Sequence, residues 1–371
     1  MAIIFDLPDE VFKLIFEYLV TVEFASLEVR PFAGLDARME CEISTACNLR
    51  LVCRRWAEWF YVHHLYKHLR GRYLQTNDLL NHLLNRSSSA ARPNCQVLDL
   101  WDLRSPPKPH QLWSRGSTQH KNGPELWSEY EILECLADYF SDSLTEITLR
   151  FRHYISLPVE IIQAIGRIRN LRTLRLVKQP QPDPQCLSML ILAAQNLTTL
   201  DLADLDPELV PRFVSLATAL KSSIKVLQVS GISSDNGQTL KPLFEVLRET
   251  IEGISVQSNS VIGQVLNLEF PKLRVFETQS SHLLTNLLTE GIFLHSIEVL
   301  GIDICSVDCK PPLESHLFTN MPSLRRLVFL SYSIFSDGIS IPDDHLLACK
   351  ARGIGCIKFT MGRGISEMMS L

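Results

Sequence analysis

The chain has 371 residues, of which 46% are hydrophobic, so it is long enough to bury a large core or to form one extended array. Its net charge is -5 at pH 7 without a block of like charges, which argues against a nucleic-acid or anionic-membrane partner held by bulk electrostatics. The 10 cysteines include no Cys-x-x-Cys pair, so buried reduced thiols are expected instead of a disulfide framework.

The first residues, MAIIFDLPDE, lack the basic start of a secretory signal and reach Asp6 before an apolar stretch forms. No later run of apolar residues is long enough to cross a membrane. We therefore expect a cytoplasmic or nuclear protein that is not secreted and has no membrane partner.

The first predicted element is a helix in LPDEVFKLIFEYL, from Leu7 to Leu19. Its apolar residues form one stripe of Val11, Leu14, Ile15, Tyr18 and Leu19 and a second of Phe12 and Phe16. A helix that is apolar on most of its circumference needs burial on two sides. One neighbouring helix cannot cover both stripes, so the sequence predicts a second partner surface.

A second helix is predicted in NLRLVCRRWAEWF, from Asn48 to Phe60. Its apolar face carries Leu49, Val52, Cys53 and Trp56. In HHLYKH, just beyond it, His64 and His68 are four residues apart on a predicted helix, a spacing that can chelate a metal. Because no cysteine pair or intervening glutamate accompanies them, a solvated helix face is the favoured interpretation and no metal site is predicted.

The two segments together resemble an F-box. That family is recognised by Leu-Pro-x-Glu and a later Val-Cys-x-x-Trp, which here are Leu7-Pro8-Asp9-Glu10 and Val52-Cys53-Arg54-Arg55-Trp56. The two motifs are further apart than is usual, and the surplus near residues 20–43 is expected to form a loop, because closure entropy grows only logarithmically with loop length. The resemblance implies a helical domain over residues 1–70, and a helix and linker follow over 71–94.

The resemblance also implies a partner for the second apolar surface. In the family this surface docks onto a Skp-type adaptor, which connects the protein to the cullin and RING subunits of an SCF-type ubiquitin ligase. The residues expected to face or support the adaptor are Leu7, Pro8, Val11, Ile15, Leu19, Leu51, Val52, Cys53 and Trp56. The alternative is an ordinary helical cap that shields the end of a repeat array.

From residue 95 onward the chain repeats a template that is apolar at its first, fourth and sixth positions. Copies start at Cys95, Leu144, Leu171, Leu197, Ile224, Ile251, Leu273, Ile297, Leu324 and Ile354. After a first interval of 49 residues the starts lie 22 to 30 residues apart, close to the roughly 20 to 29 residues of a leucine-rich repeat. The long first interval contains a Pro- and Ser-rich stretch near 104–130, which is predicted to be an insertion loop.

Each copy is predicted to be a strand whose fourth and sixth positions face a core, because side chains alternate along a strand. Helical patterns fill intervals such as 158–168, 207–220 and 239–251. The segment resembles the leucine-rich-repeat family, although only Asn259 and Cys305 occupy the position where that family carries Asn or Cys. The predicted fold class is α/β, with an irregular solenoid over 95–371 that has about ten parallel strands on its concave side and helices on its convex side.

Template positions three, five and seven are predicted to line the concave surface, where a target protein would bind. The candidate target-binding residues are Trp101, Arg150, Arg175, Asp201, Gln228, Glu277 and Arg326, and Lys358 is expected on the same surface. Trp101 is the first of these to test, because large exposed aromatic residues are enriched at binding hot spots. For any single position, an ordinary solvated strand residue is the alternative interpretation.

Combined with the resemblance, these patterns predict a non-enzymatic, cofactor-free, substrate-recruiting subunit of an SCF-type ubiquitin ligase. It would hold an unidentified protein target through the repeats. The alternative is a ligase-independent interaction or scaffold protein with a degenerate F-box. An enzyme is the third possibility: neither Gly-x-Ser-x-Gly nor His-Glu-x-x-His occurs, but dispersed catalytic residues are not visible in one sequence.

Overall fold

The structure is a computed structural model of the chain, and it describes most of the segments that contain the predicted elements. The described residues are 8–27, 35–85, 91–103, 129–151, 157–177, 184–203, 214, 218, 223–230, 240–256, 261, 268–278, 295–303, 320–330, 341, 343–359 and 364–371. Within them the chain forms 11 strands and ten helices, so it is an α/β protein.

Three helices come first: α1 (Asp9–Leu27), α2 (Leu35–Leu49) and α3 (Arg54–His63). The loop predicted near residues 20–43 is wrong for most of its length, because α1 continues to Leu27 and α2 starts at Leu35. The helix breakers Pro31 and Gly34 lie between the two helices, whereas the residues of both helices include neither proline nor glycine. The surplus sequence therefore lengthens two helices.

The single helix predicted from Asn48 to Phe60 is also wrong, because a turn divides it. After α2 ends, Cys53 adopts an extended conformation with φ -161° and ψ 168°. Its Sγ accepts a hydrogen bond from the backbone N–H of Trp56 at 3.5 Å, so Cys53 caps the start of α3. The turn before this cap carries Leu51 and Val52.

All 11 strands belong to one parallel sheet in which the spatial order follows the sequence. They are β1 (His68–Arg72), β2 (Val97–Leu103), β3 (Glu146–Phe151), β4 (Thr173–Val177), β5 (Thr199–Ala203), β6 (Val226–Ser230), β7 (Gly253–Val256), β8 (Val275–Thr278), β9 (Val299–Asp303), β10 (Arg326–Leu330) and β11 (Gly355–Phe359). Neighbouring parallel strands require a crossover connection. The remaining helices are α4 (Tyr73–Leu84), α5 (Glu129–Tyr139), α6 (Val159–Gly166), α7 (Pro184–Ala193), α8 (Lys241–Leu247), α9 (Asp343–Ala351) and α10 (Ile365–Met368).

Ten strands coincide with the predicted template copies, and all but β11 start two residues after the template start, as Val97 follows Cys95. β1 was missed, and the prediction that His68 lies on a helix is wrong. The strand has glycine at Gly71, in register with Leu100 of β2, so it does not fit the apolar template. Pairing with β2 therefore extends the sheet upstream of the predicted linker.

One side of the sheet, the core face, carries a row of apolar side chains in register. The row consists of Leu69, Leu98, Ile147, Leu174, Leu200, Leu227, Ile254, Phe276, Leu300 and Leu327, all of them buried. Helices α4 to α9 supply the opposing residues of the same core, such as Leu136, Ile165 and Phe244. The main core therefore lies between the sheet and one layer of helices.

The last template copy is out of register by one residue. Leu327 pairs with Cys356, so Ile357 and Phe359 lie on the opposite side of the sheet, the second face, instead of in the main core. Lys358 correspondingly lies beside Phe329 on the core face, which contradicts its predicted place on the concave surface. Because this end of the sheet is apolar on both faces, the apolar pattern could not fix the register.

Helix α3 joins the first three helices to the sheet. Its Trp56 and Phe60 pack with Phe12 and Phe16 of α1 in one cluster, whereas Tyr61 belongs to the main core. Leu65 contacts both clusters. The two cores are therefore adjacent, and the sheet begins at β1, within the residues predicted to form the helical domain.

Asparagine side chains connect successive repeats of the solenoid template, but they lie directly before the template and not after it as predicted. Asn170 and Asn196 directly precede two template copies and donate to the carbonyls of Asp142 and Arg169 at 2.7 and 2.8 Å. The predicted positions, at 259 and 305, lie outside the described residues. So do the insertion at 104–128 and most of the helix predicted at 207–220.

None of the described helices is long and apolar enough to cross a bilayer.

Replacing Phe244 with alanine tests the shared core. Phe244 is fully buried and its ring lies edge-on to Phe270 at 6.4 Å, so the Phe244→Ala substitution should lower the free energy of unfolding by about 3–5 kcal/mol. The matched control is Leu347→Ala on the exposed side of α9, which should change it by less than about 0.5 kcal/mol. Equal effects in chemical denaturation would contradict the assignment of the core.

Candidate functional site

The core of helices α1 to α3 consists mainly of aromatic side chains. Phe12 lies edge-on to Trp56 with ring centroids 5.1 Å apart, and Phe16 lies edge-on to Phe60 at 5.2 Å. The Arg55 guanidinium lies 5.4 Å from the ring centroid of Phe12. One of the two predicted stripes of α1, Phe12 and Phe16, is therefore buried by the chain itself.

The other stripe, with the turn before α3, contributes to an exposed surface. The largest exposed fractions in this region are 65% for Leu14, 70% for Tyr18, 77% for Leu51 and 54% for Val52. Ile43 of α2 is exposed as well. Five of the 11 large hydrophobic side chains that are exposed among the described residues thus lie on α1, α2 and the turn before α3. We call Leu14, Tyr18, Leu51 and Val52 the helical surface.

The described residues among those predicted to face or support an adaptor divide into three groups by burial. Leu51, Val52 and Pro8 are exposed; Val11, Ile15, Leu19 and Cys53 are half-buried; Trp56 is buried; and Leu7 lies outside the described residues. Trp56, with 4% exposure, supports the helical core and does not face solvent. Within the described residues its indole Nε1 has no hydrogen-bond partner, and the same holds for Trp59. Leu14 and Tyr18 were part of the apolar pattern but absent from the predicted set.

His64 lies against this aromatic core and not on a solvated helix face, which corrects the interpretation of its spacing. Its ring centroid is 4.3 Å from that of Phe16 and 4.7 Å from that of Trp59. Burial, and secondarily the charges of Lys67, His63 and Lys13, lowers the pKa of His64 from 6.5 to about 4. Among the described residues no group of His, Cys, Asp and Glu has the arrangement of a metal site.

The second face of the sheet contains most of the predicted target-binding residues. Its central row, in register, consists of Arg70, Asp99, Thr148, Arg175, Asp201, Gln228, Ser255, Glu277, Gly301, Val328 and Ile357. The row is polar from β1 to β8 and apolar from β10 to β11. The register therefore brings side chains from distant parts of the sequence into one line.

Two ion-pair groups lie on the β1 to β5 part of this face. Arg150 donates from Nε and Nη2 to the two carboxylate oxygens of Asp99 at 3.1 and 3.3 Å, and Arg70 Nε lies 3.6 Å from the same carboxylate. Arg175 Nε donates to Asp201 Oδ2 at 2.6 Å. The arginine side chains are 34–38% exposed, whereas the aspartates are 5–11% exposed. The face therefore presents guanidinium groups above buried carboxylates, an arrangement suited to polar groups of a partner.

Burial shapes the electrostatics of this polar row. Burial raises the pKa of the Asp201 carboxyl, and the adjacent Arg175 opposes that shift. Burial likewise raises the pKa of Glu146, again opposed by Arg175. For Arg175, burial acts to lower the pKa, but the carboxylates of Asp201 and Glu146 outweigh it and raise the pKa. Arg175 is thus the cation that most strongly opposes the shift of both carboxyl pKa values.

Another part of the second face is covered by the chain itself. The segment Gly364–Leu371, here called the covering segment, packs across β6 to β9 on the second face. Arg326 Nη1 donates to the Leu371 carbonyl at 2.8 Å, and Glu277 is 1% exposed. Gln228 is half-buried, and Gly364 lies close to its amide. Trp101 lies in β2, and its side chain is outside the described part of the structure.

Sequence reasoning missed the covering segment and the residue that anchors it, Arg274, whose Nη2 donates to the Met369 carbonyl at 2.7 Å. A signal was present in two template copies. Gly253 and Gly301 occupy the third and fifth positions, where most other copies have a side chain. Glycine inside a strand often marks a close approach by another chain segment.

The pH dependence of folding tests the environment of His64. Because its pKa in the folded chain, about 4, is below the ordinary 6.5, the unfolded chain binds more protons between these values. The contribution of His64 to the free energy of unfolding should therefore decrease progressively as the pH falls from 6.5 to about 4. His64→Phe should flatten this dependence in denaturant titrations, whereas His63→Phe at the exposed neighbouring position should change it much less, because the charge of His63 is only a secondary cause of the shift. Identical slopes for wild type and His64→Phe would contradict the assignment.

Breaking the Arg175–Asp201 pair tests the buried polar row. Arg175→Gln should lower the free energy of unfolding by about 1–3 kcal/mol, less than for a fully buried pair because 36% of the Arg175 side chain is exposed. Adding Asp201→Asn should restore part of the loss, since no uncompensated carboxylate then remains. Arg167→Gln is the matched control, because its pair with Asp138 is exposed and should contribute less than about 1 kcal/mol. If the changes in the free energy of unfolding caused by Arg175→Gln and Asp201→Asn simply add in the double variant, the two side chains do not interact and the prediction is contradicted.

Comparison with known proteins adds no assignment to these two surfaces. No family model matches the chain, and no curated protein matches its sequence. The interpretation of the helical surface and of the second face therefore depends on the residues, contacts and charges described above.

Proposed function

We propose that the chain is the substrate-recruiting, non-catalytic subunit of an SCF-type cullin-RING ubiquitin ligase. Helices α1 to α3 act as an F-box that binds a Skp-type adaptor, and the sheet with its helices is a leucine-rich-repeat solenoid that binds the target. The proposal implies a cytoplasmic or nuclear protein.

The observation that carries the proposal is that the apolar side chains of helices α1 to α3 fall into a buried set and an exposed set. Phe12, Phe16, Trp56 and Phe60 are buried in its own core, whereas the helical surface of Leu14, Tyr18, Leu51 and Val52 stays exposed. Leu51 and Val52 lie in the turn that Cys53 ends, inside the segment on which the F-box resemblance depends. The chain thus supplies one burial partner for α1 and leaves room for another.

The energy of such a contact is sufficient for docking. Fully burying one large apolar side chain contributes roughly 1.5–3 kcal/mol, so four of them supply several kcal/mol towards a complex. Association also costs translational and side-chain freedom, so only the surplus appears as affinity. Arg54 and Arg55, both exposed, add polar contacts at the rim of the same turn.

The arrangement of the strands supports the repeat part of the proposal. Parallel strands follow one another in sequence order, with helices on the core face between several of them, as expected for a solenoid. In this proposal the second face is the concave surface, and the Arg70, Arg150 and Arg175 part of it, over β1 to β5, contacts the target. The contribution to catalysis is proximity, because a tethered target meets the ubiquitin-loaded enzyme at high effective concentration.

A capture experiment tests adaptor binding. Tagged full-length chain is recovered from cell extract, and a Skp-type adaptor and a cullin are quantified by mass spectrometry. Wild type should recover both. The Leu51→Ser and Val52→Ser double variant should lose both, because its two exposed side chains no longer bury apolar area, and should weaken binding of purified adaptor by about tenfold or more.

The matched control is Leu347→Ser, which removes a similarly exposed leucine from α9. It should recover as much adaptor as wild type. Wild type that recovers no adaptor while still binding other proteins would favour a ligase-independent scaffold with a degenerate F-box. Full recovery by the double variant would contradict the proposed surface.

A further inference from the structure

The covering segment contacts the sheet as a bound peptide would. Ile365 and Met368, one helical turn apart, are fully buried against Val226, Val275 and Val299, and Met369 and Leu371 pack on the same cluster. Arg274 and Arg326 donate to the carbonyls of Met369 and Leu371 at 2.7 and 2.8 Å. These carbonyls follow the end of α10, where a helix leaves acceptors without intrahelical partners.

Two glycines make the face complementary to this segment. A Cβ added to Gly301 would lie 2.7 Å from Cε of Met368, and one added to Gly253 would lie 2.8 Å from Sδ of Met369. Real Cβ atoms do not approach so closely, so any other residue at these positions would require the ends of the Met368 and Met369 side chains to shift. Gly355, also on this face, differs, because the nearest atoms to its added Cβ are 3.8 Å away. The two glycines therefore leave the space that the methionine side chains fill above β7 and β9.

We infer that the second face over β6 to β9 is a binding site for a short apolar helical segment of a protein partner, and that the covering segment is its resident, displaceable occupant. The partner would present two aliphatic or methionine side chains one turn apart. Its last carbonyls would take the place of those bound by Arg274 and Arg326.

Tethering explains how so short a segment can close the site. Residues 360–363 connect it to β11, and an occupant on a short linker acts at an effective concentration in the millimolar range. Weak intrinsic affinity is therefore enough to keep the face covered in the absence of a partner. A partner with more contacts on the neighbouring polar row would replace it.

A labelled peptide tests the inference in the full-length chain. The probe is a fluorescein-labelled peptide of residues 364–371, titrated with protein in fluorescence anisotropy. Wild type should show no saturable binding, because its own segment occupies the face. The Ile365→Ser and Met368→Ser double variant should bind the peptide, because it weakens the occupant and leaves the face unchanged.

Further variants of this double mutant identify the site. Adding Gly301→Val should weaken peptide binding by about tenfold or more, because its side chain overlaps the position of the peptide methionine. Adding Gly355→Ala is the matched control and should leave binding unchanged, since its Cβ meets no close atom. No binding by the double variant, binding by wild type as tight as by the double variant, or equal binding after Gly301→Val would each overturn the inference.

Hydrogen exchange of the wild-type chain covers the case in which the double variant fails to fold. The amides of Met368 and Met369 bond to the carbonyls of Gly364 and Ile365 within the segment. They should exchange by local opening, well before the amides of β7. Exchange at the rate of β7 would show that the segment is a fixed part of the core and would overturn the inference. All these variants leave the helical surface intact, so failure here is distinguishable from failure of adaptor binding.

Discussion

The parallel register of the sheet is the constraint on which the rest of the structure depends. Each strand contributes only a few residues, and its apolar side chains are buried because the next strand places its own beside them, as Leu174 does for Ile147 and Leu200 for Leu174. No unit of this kind can be stable alone, since most of its core is supplied by its neighbours. The same register places Arg175 beside Asp201, and Gly301 beside Val328, on the second face.

This constraint gives the two faces of the sheet different roles. The core face is apolar along most of its length and fixes the fold, whereas the second face changes in character along the sheet. It begins with buried carboxylates beneath partly exposed arginines and ends with the cluster that includes Val328 and Phe359. Within the described residues, the covering segment packs on the middle of this face, and the arginine side chains over β1 to β5 are 34–38% exposed. A partner that binds this face can therefore contact the polar part over β1 to β5 directly, whereas the neighbouring apolar part is occupied by the covering segment.

Much of the sheet could be predicted because its period is set by burial. Residues that must be apolar recur at nearly constant intervals, so the positions of β2 to β10 follow from the sequence. The same reasoning fails where a strand departs from the pattern. β1 carries Gly71 at a core position, and β11 has apolar Ile357 and Phe359 on the second face, so the first was missed and the second was shifted. The sequence of one strand cannot correct either error, because the pairing of β1 and the register of β11 are fixed by contacts with other strands and with the covering segment.

The helical unit illustrates a second limit of sequence reasoning. The apolar stripes of α1 predict that it needs two partners, but they do not say which stripe faces inward. The contacts decide this, since Phe12 packs on Trp56 and leaves Leu14 and Tyr18 exposed. The cap at Cys53 likewise divides one predicted helix and exposes Leu51. A turn that is capped by a cysteine thiol has no clear periodic signal.

Carbene footprinting of the full-length chain, with and without a purified Skp-type adaptor, tests the central claim most directly. The account predicts that the adaptor reduces labelling of the helical surface, Leu14, Tyr18, Leu51 and Val52, while Leu347 is labelled equally in both samples. Unchanged labelling of the helical surface at saturating adaptor would contradict it.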